Sequence, residues 1–178
     1  NSHIHLEFSA NKTTLKYGSF YSWLNSVIRH REKLIDKAKT SLITQELKKL
    51  LKTGTTTIGA ISSYSFDLEA CLKSPINTIF FCEVIGSKAD MIDTLFTDFK
   101  ARLKDAQKHN SKRFKTGIAI HSPYSVHPFL VREVLNIAKD LFEQANTDNE
   151  NILRAEIYLK NIDRDFSDFN EIWDAWVS

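Results

Sequence analysis

The chain has 178 residues, of which 42% are hydrophobic and 26% are charged, a composition typical of a globular protein with one core or two small ones. Its formal net charge of +2 is too small to indicate binding to nucleic acid or to an acidic membrane surface. The sequence shows no signal peptide and no apolar run long enough to cross a membrane. Cys71 and Cys82 do not suggest a disulfide framework, so we expect a reducing, cytoplasmic location.

The opening segment contains two histidines separated by one residue. Residues 2–8 predict the exposed end of a strand, and side chains along a strand alternate between its two faces. His3 and His5 therefore point to the same side, where both imidazoles can bind one divalent metal ion, zinc or iron. The same pair also arises by chance or from a tag. No strand leads into it, which suggests that residues are missing upstream.

The following residues alternate between helix and strand patterns. After a polar loop, apolar residues at three-to-four spacing predict a helical stretch from Ser19, its N-cap, to Leu51, and Gly54 ends it. Short runs of β-branched or apolar residues predict parallel strands, and amphipathic stretches predict helices between them. The predicted strands are residues 55–63, 78–85 and 114–120, and the predicted helices are residues 67–72, residues 91–108 and a segment that begins at Pro128.

The chain changes character after Asn146. Residues 152–160 alternate between polar and apolar side chains and predict a strand, and residues 161–165 predict a turn. Residues 166–177 predict a helix rich in aromatic side chains, which needs a sheet or a partner to cover it.

The alternation of strands and helices predicts an α/β fold, a partial (β/α) barrel-like series of parallel strands with covering helices. In such folds the chemistry lies at the carboxyl ends of the strands. Four polar residues fall at or just beyond predicted strand ends, which suggests a shared site: His5, Ser62, Glu83 and His121. The alternative is the dispersed set of polar residues that any α/β fold has. Asp67 and Glu69, just after the second strand, are within reach of such a site, but we expect them to cap or solvate a short helix.

Five blocks of sequence carry a resemblance to a known family. They are Asn1 to Ser9, Tyr17-Gly18-Ser19-Phe20 with Trp23-Leu24, Gly54-Thr55-Thr56-Thr57, Glu83-Val84-Ile85-Gly86, and Ile120-His121-Ser122-Pro123-Tyr124-Ser125. Through these blocks, residues 1 to about 141 resemble the first half of the metal-dependent deaminases of the amidohydrolase superfamily, and within it the aminofutalosine deaminases. The last block is fairly specific to this family, and the others support it by order and spacing.

The resemblance implies a hydrolytic reaction on a purine nucleoside, in the futalosine route to menaquinone. A metal-activated water attacks the amino-bearing carbon, ammonia leaves, and a carboxylate moves the proton. The site residues implied are His3 and His5 as metal ligands, Glu83 and Glu7 as candidate catalytic carboxylates, and His121, Ser122 and Tyr124 as substrate contacts.

The sequence departs from the family pattern after Leu141. The family's fifth-strand histidine, the shuttle glutamate that follows it, and the later histidine and aspartate ligands have no counterpart in this chain. Residues 143–145, 151–160 and 166–177 instead resemble parts of the reactive-intermediate (enamine/imine) deaminases, which are small trimeric proteins. We therefore expect an amidohydrolase-like part over residues 1–141 and a strand–helix segment of different character over residues 142–178, which either packs on the first part or stands apart from it.

Three interpretations stay open. The chain is a metal-dependent deaminase that keeps the first half of the fold, a non-catalytic fusion or fragment of α/β type, or a trimeric protein of the enamine/imine deaminase type. The first predicts a small-molecule purine nucleoside as partner. None predicts nucleic acid or a membrane, and a homo-oligomer is compatible with all three.

Overall fold

The computed structural model describes residues 1–144, 146 and 162–177. Within these ranges, helices and strands alternate as the sequence predicts. The helices are α1 (Phe20–Lys37), α2 (Thr40–Lys52), α3 (Leu68–Lys73), α4 (Ile92–Gln107), α5 (Pro128–Gln144) and α6 (Ile162–Val177), and the strands are β1 (Thr57–Ser62), β2 (Asn77–Val84) and β3 (Phe114–Ile120). None of the helices in this part of the chain is both long and apolar enough to span a membrane.

The predicted helical stretch from Ser19 to Leu51 is two helices. Ser19 is the N-cap of α1, as predicted, and its side chain accepts a hydrogen bond from the N–H of Ser22. The stretch is interrupted at Ala38 and Lys39, whose ψ angles of 61° and 154° are far from helical values. The apolar spacing continues across this break, and neither glycine nor proline marks it, so the pattern alone does not show it.

The two ends of the described chain also differ from the prediction. The strand predicted over residues 2–8 is reduced to a single parallel bridge between Ile4 and Ala60, followed by a 3₁₀ helix over Leu6–Phe8. The turn predicted over residues 161–165 is wrong for residues 162–165, because α6 begins at Ile162. The strand predicted over residues 152–160 lies outside the described residues.

The three strands form one sheet in the order β1-β2-β3. β1 pairs in parallel with β2 along its whole length. At the start of β2, the N–H of Thr78 donates to the carbonyl of Arg113 (2.8 Å), and at its end the carbonyl of Val84 accepts from the N–H of His121 (3.0 Å). β3 therefore runs in the same direction as β2, which confirms the predicted α/β class with parallel strands.

Contacts between Cα atoms divide the chain into two compact units. Unit 1 comprises Asn1–Glu83 and Lys100–Ala119, and unit 2 comprises Val84–Phe99 and Ile120–Ser178. The paired histidines and both candidate carboxylates belong to unit 1, and the three candidate substrate contacts belong to unit 2.

The sheet in unit 1 has two unlike faces, because side chains alternate along each strand. One face, the core face, carries Ile58, Phe80 and Phe114, all nearly inaccessible to solvent, and the two phenyl rings stack with centroids 5.6 Å apart. The other face, the open face, carries Ile79, which is 42% exposed, and Phe81.

On the open face, Phe81 lies between glycines of both neighbouring strands. A Cβ atom on Gly117 would lie 2.7 Å from Cδ1 of Phe81, and a Cβ atom on Gly59 would lie 3.3 Å from its Cε2. The phenyl ring thus occupies the space that side chains at residues 59 and 117 would fill. Close approach of the ring requires glycine at residue 117, whereas at residue 59 the ring alone would need to move by only a few tenths of an ångström.

We expect Gly117→Ala to lower the free energy of unfolding by about 1–3 kcal/mol, because the new methyl group overlaps the Phe81 ring. Adding Phe81→Leu removes the overlapping ring atoms, so the double variant should lose less stability than the two single changes summed. Urea unfolding of the four proteins of this cycle measures the coupling. Strictly additive losses would show that the overlap is not the cause.

Candidate active site

The opening segment is held against β1 by backbone hydrogen bonds. The N–H of Gly59 donates to the carbonyl of Asn1 (2.8 Å), and its carbonyl accepts from the N–H of Ile4 (2.9 Å). The N–H of Ile61 then donates to the carbonyl of Ile4 (2.9 Å). These bonds anchor the backbone on both sides of His3 and directly before His5.

The two histidines of the opening segment converge, as predicted. Nε2 of His3 lies 3.2 Å from Nε2 of His5, and the ring centroids are 5.1 Å apart. Two nitrogens that bind one zinc ion tetrahedrally, each about 2.0–2.1 Å from the metal, are separated by roughly 3.3 Å. The pair therefore fits as two ligands of one metal ion. Within the described ranges, no group of three or more His, Cys, Asp or Glu side chains could hold a metal ion, and the role of the pair as metal ligands stays a prediction.

Glu7 is buried beside the loop that follows β1. Its carboxylate accepts hydrogen bonds from the N–H groups of Ser63 (3.1 Å) and Tyr64 (2.8 Å), one on each oxygen, and the residue is 1% exposed. Burial raises the pKa of Glu7, and these two hydrogen bonds oppose the rise. Glu7 thus fixes the backbone of the loop from inside the protein.

Glu83 lies at the end of β2 and is connected to the same loop. The hydroxyl of Ser63 donates to Oε2 of Glu83 (2.5 Å), while the backbone carbonyl of Glu83 accepts from the guanidinium of Arg102 (3.0 Å). Ser63 therefore bonds to Glu7 through its N–H and to Glu83 through its hydroxyl. The structure brings together three of the predicted site residues of unit 1: Glu7, Ser62 and Glu83.

Asp67 is part of this arrangement, although its position before a short helix favours capping or solvation of that helix. It is fully buried, its Oδ1 lies 2.5 Å from Oγ of Ser62, and it makes no side-chain capping hydrogen bond to α3. Burial first, and the nearby charge of Glu7 second, raise the pKa of Asp67 to about 7. The sequence offers one partial signal, the apolar residues Leu68, Ala70 and Cys71 that follow Asp67, and the structure buries all three in α3.

The candidate substrate contacts of unit 2 follow β3. His121 is attached to the end of β2 by the hydrogen bond from its N–H to Val84. The carbonyl of Ser122 accepts from both the N–H and the hydroxyl of Ser125 (2.8 and 2.7 Å), which closes a tight turn. Tyr124 lies within that turn and is 50% exposed. The role of these three residues in substrate binding stays a prediction.

The two cysteines behave as the sequence predicts. Both are buried and free of disulfide bonds. Burial raises the pKa of both thiols, that of Cys82 to about 12, so neither is a reactive thiolate at neutral pH.

Comparison with known proteins decides the family. A sequence model of the Amidohydrolase family matches residues 1–147, most of the chain. The chain belongs to the amidohydrolase family. This membership confirms the resemblance that the opening histidines and the block around His121 carried.

Two curated relatives of this amidohydrolase are named as deaminases. An aminodeoxyfutalosine deaminase of a Nitratiruptor species is 52% identical over 139 residues, which are 78% of this chain and 34% of the relative. An adenosine deaminase of Helicobacter pylori is 33% identical over 140 residues, 79% of this chain and 34% of the relative. The chain thus spans about a third of the length of the curated relatives it matches.

Solved structures support the same assignment. The crystal structure of Helicobacter pylori aminofutalosine deaminase in complex with methylthio-coformycin matches with a TM-score of 0.71 and 29% identity, over 85% of this chain and 40% of that one. A guanine deaminase from C. acetobutylicum matches with a TM-score of 0.60 over 83% of this chain and 37% of that one. At 16% identity this second match shows a shared fold only.

Proposed function

We propose that this amidohydrolase is part of a metal-dependent deaminase that removes the amino group of a purine nucleoside of the aminodeoxyfutalosine type as ammonia. The observation that carries the proposal is the convergence of the His3 and His5 imidazoles, 3.2 Å apart, in a chain 52% identical to an aminodeoxyfutalosine deaminase. The proposal includes a place in the futalosine route to menaquinone and a cytoplasmic location. Because the chain spans a third of its relatives, the activity is proposed for a protein that also contains the remaining ligands.

In this proposal each side chain has a defined task. His3 and His5 would hold a divalent metal ion, zinc or iron, which when bound makes water nucleophilic near neutral pH. Glu83 accepts the hydroxyl hydrogen of Ser63 and is the stronger candidate to hold a proton near the reaction, since it lies on a strand end. Both carboxylate oxygens of Glu7 accept hydrogen bonds from backbone N–H groups, so Glu7 is better suited to positioning the loop after β1.

Metal binding tests the histidine pair directly. We expect the chain to bind zinc or iron(II) at one equivalent. We expect His3→Ala and His5→Ala each to weaken binding by more than the roughly 10–100-fold that loss of an outer-shell partner costs. The exposed His109, in the same unit, supplies the matched control, because His109→Ala removes an imidazole elsewhere. Isothermal titration under anaerobic conditions gives the stoichiometry and affinity. Equal losses in all three variants would contradict a site at the histidine pair.

A segment exchange tests the activity. The matching segment of the Nitratiruptor deaminase is replaced by the matched residues of this chain, so that the remaining two thirds of the relative complete the protein. We expect this hybrid to release ammonia from an aminodeoxyfutalosine-type nucleoside, and to lose that activity with His3→Ala but not with His109→Ala. A folded, metal-loaded hybrid without ammonia release would contradict the deaminase proposal.

Light scattering and metal analysis of the chain itself address the other two interpretations. A trimer without bound metal would favour a protein of the enamine/imine deaminase type. A monomer without metal would favour a non-catalytic fragment or fusion.

A further inference from the structure

The hydroxyl of Ser62 has one hydrogen to donate, but two carboxyl oxygens lie within hydrogen-bond distance of it. Its oxygen accepts from the N–H of Ser65 (2.9 Å). It also lies 2.5 Å from Oδ1 of Asp67 and 3.3 Å from Oε1 of Glu7. If both carboxyl groups were ionised, both would need the single hydroxyl hydrogen, and one would be left facing a lone pair. A proton on one of the two carboxyl groups would remove this conflict.

The other hydrogen bonds of the two carboxyl groups decide which one is protonated. Both oxygens of Glu7 already accept backbone N–H groups, which favours the anion. Oδ2 of Asp67, in contrast, is buried and has no hydrogen-bond partner among the described residues. An anion at Asp67 would leave that oxygen desolvated and unpaired, which is the costly arrangement.

We propose that Asp67 is a neutral carboxylic acid in the folded protein and that it acts as a positioning residue. Its O–H donates to Oγ of Ser62, the hydroxyl of Ser62 donates to Glu7, and the loop over residues 62–65 is held so that the Ser63 hydroxyl meets Glu83. The protonation of Asp67 stands independently of the proposed deaminase, and only the link through Ser63 to catalysis rests on that proposed function.

The groups around Asp67 agree with a neutral side chain. Glu7 on the opening 3₁₀ helix and Cys71 on α3 interact with it electrostatically, and so does Cys82 on β2; Glu83 interacts in turn with Glu7. One cation near this cluster is Arg102 on α4, whose guanidinium donates to the backbone carbonyls of Ser62 (3.5 Å) and Glu83 (3.0 Å). A second, Arg31, lies over the ring of Tyr64, 4.8 Å from its centroid. Burial first, and the charge of Glu7 second, raise the pKa of Asp67 to about 7, against the hydrogen bonds of its carboxyl group to Ser62 and to its own backbone, which lower it.

The proposal fixes the sign of the pH dependence. The pKa of Asp67 rises from 3.8 to about 7 on folding, so the folded protein binds more protons than the unfolded chain between these values. The stabilising effect of the proton is complete below about pH 4 and is lost as the pH rises to about 7. Asp67→Asn replaces the acid by a permanently neutral group whose N–H₂ donates to Ser62, and removes this loss.

Urea unfolding of the wild type and of Asp67→Asn at about pH 5 and about pH 8.5 tests the proposal. We expect the wild-type midpoint, relative to that of Asp67→Asn, to be lower at the alkaline pH. Asp67→Ala should be less stable than Asp67→Asn at both pH values. Asp36→Asn is the control, because Asp36 is an exposed aspartate in the same unit and its substitution should leave the pH dependence unchanged. Parallel pH dependence in the wild type and Asp67→Asn would overturn the proposal.

A direct measurement keeps the proposal testable if the variants fold poorly. The ¹³C chemical shift of the Asp67 carboxyl group in the wild-type chain reports its protonation, and we expect a titration midpoint near neutrality. A carboxylate that is ionised throughout from about pH 5 would refute the assignment.

In the hybrid deaminase, Asp67→Asn should keep ammonia release at neutral pH and extend it to higher pH, whereas Asp67→Ala should lower it. A hybrid that is inactive in every form would count against the proposed function, and the unfolding and ¹³C results would still decide the protonation.

Discussion

Replacing Gly59 with alanine should displace the segment that carries His3 and His5 and lower the free energy of unfolding by about 3 kcal/mol. A Cβ atom at this position would lie 2.3 Å from the carbonyl oxygen of Ser2 and 2.9 Å from its carbonyl carbon. These are backbone atoms, so no change of rotamer relieves the overlap. The strand or the opening segment must move, and Gly59 holds that segment through both its N–H and its carbonyl. Metal affinity at the histidine pair should therefore fall together with stability.

A truncation gives the matched control for this prediction. Removing Asn1 and Ser2 deletes the two backbone atoms that lie closest to the new methyl group, and it also removes the hydrogen bonds of Asn1 to Thr57 and Gly59. In the truncated chain, Gly59→Ala should lower the free energy of unfolding much less than in the full chain. Urea unfolding of the four proteins should therefore show a large coupling free energy between the two changes. An equal cost in both backgrounds would show that the opening segment is not pressed against Gly59.

The parallel sheet was predictable because each strand is short, apolar or β-branched and separated from the next by a helical pattern. β3 has the predicted bounds, and β2 begins and ends one residue before the prediction. Residues 78–85 are a near-continuous apolar run, which predicts a parallel strand covered on both faces, but the structure leaves Ile79 on the open face 42% exposed. The histidine pair was predictable for an equally local reason, since its two residues are only two positions apart.

The buried carboxyl cluster was not predictable in the same way, because its contacts join distant parts of the chain. Glu7 meets Ser62 across 55 positions and Tyr64 across 57. The hydrophobic periodicity of a segment of ten or twenty residues cannot predict a contact between residues so far apart in the sequence. Asp67 illustrates the consequence: an aspartate before a short helix is usually a cap, and only the packing of α3 against the core turns it into a buried acid.

We expect Glu7→Ala to lower the free energy of unfolding by about 3 kcal/mol, since it leaves the N–H groups of Ser63 and Tyr64 without their acceptor. Ser63 is buried, so its N–H has no access to water in compensation. The loop after β1 should open locally as well as globally. Urea unfolding measures the total loss, and hydrogen exchange at the amides of Ser63 and Tyr64 measures the local one.

Glu7→Gln and Glu69→Ala separate this effect from a general effect of losing a glutamate. Glutamine keeps one acceptor oxygen. Glu7→Gln should therefore lower the free energy of unfolding less than Glu7→Ala, and it should protect one of the two amides from hydrogen exchange. Glu69 is exposed and pairs with Lys73 on the same helix turn, so its removal should change stability little. If Glu7→Ala and Glu69→Ala behaved alike, the carboxylate of Glu7 would not be holding the loop. Another contact would then have to hold Ser63 so that its hydroxyl bonds to Glu83. Glu7 would not connect the opening segment, through Ser63, to the end of β2.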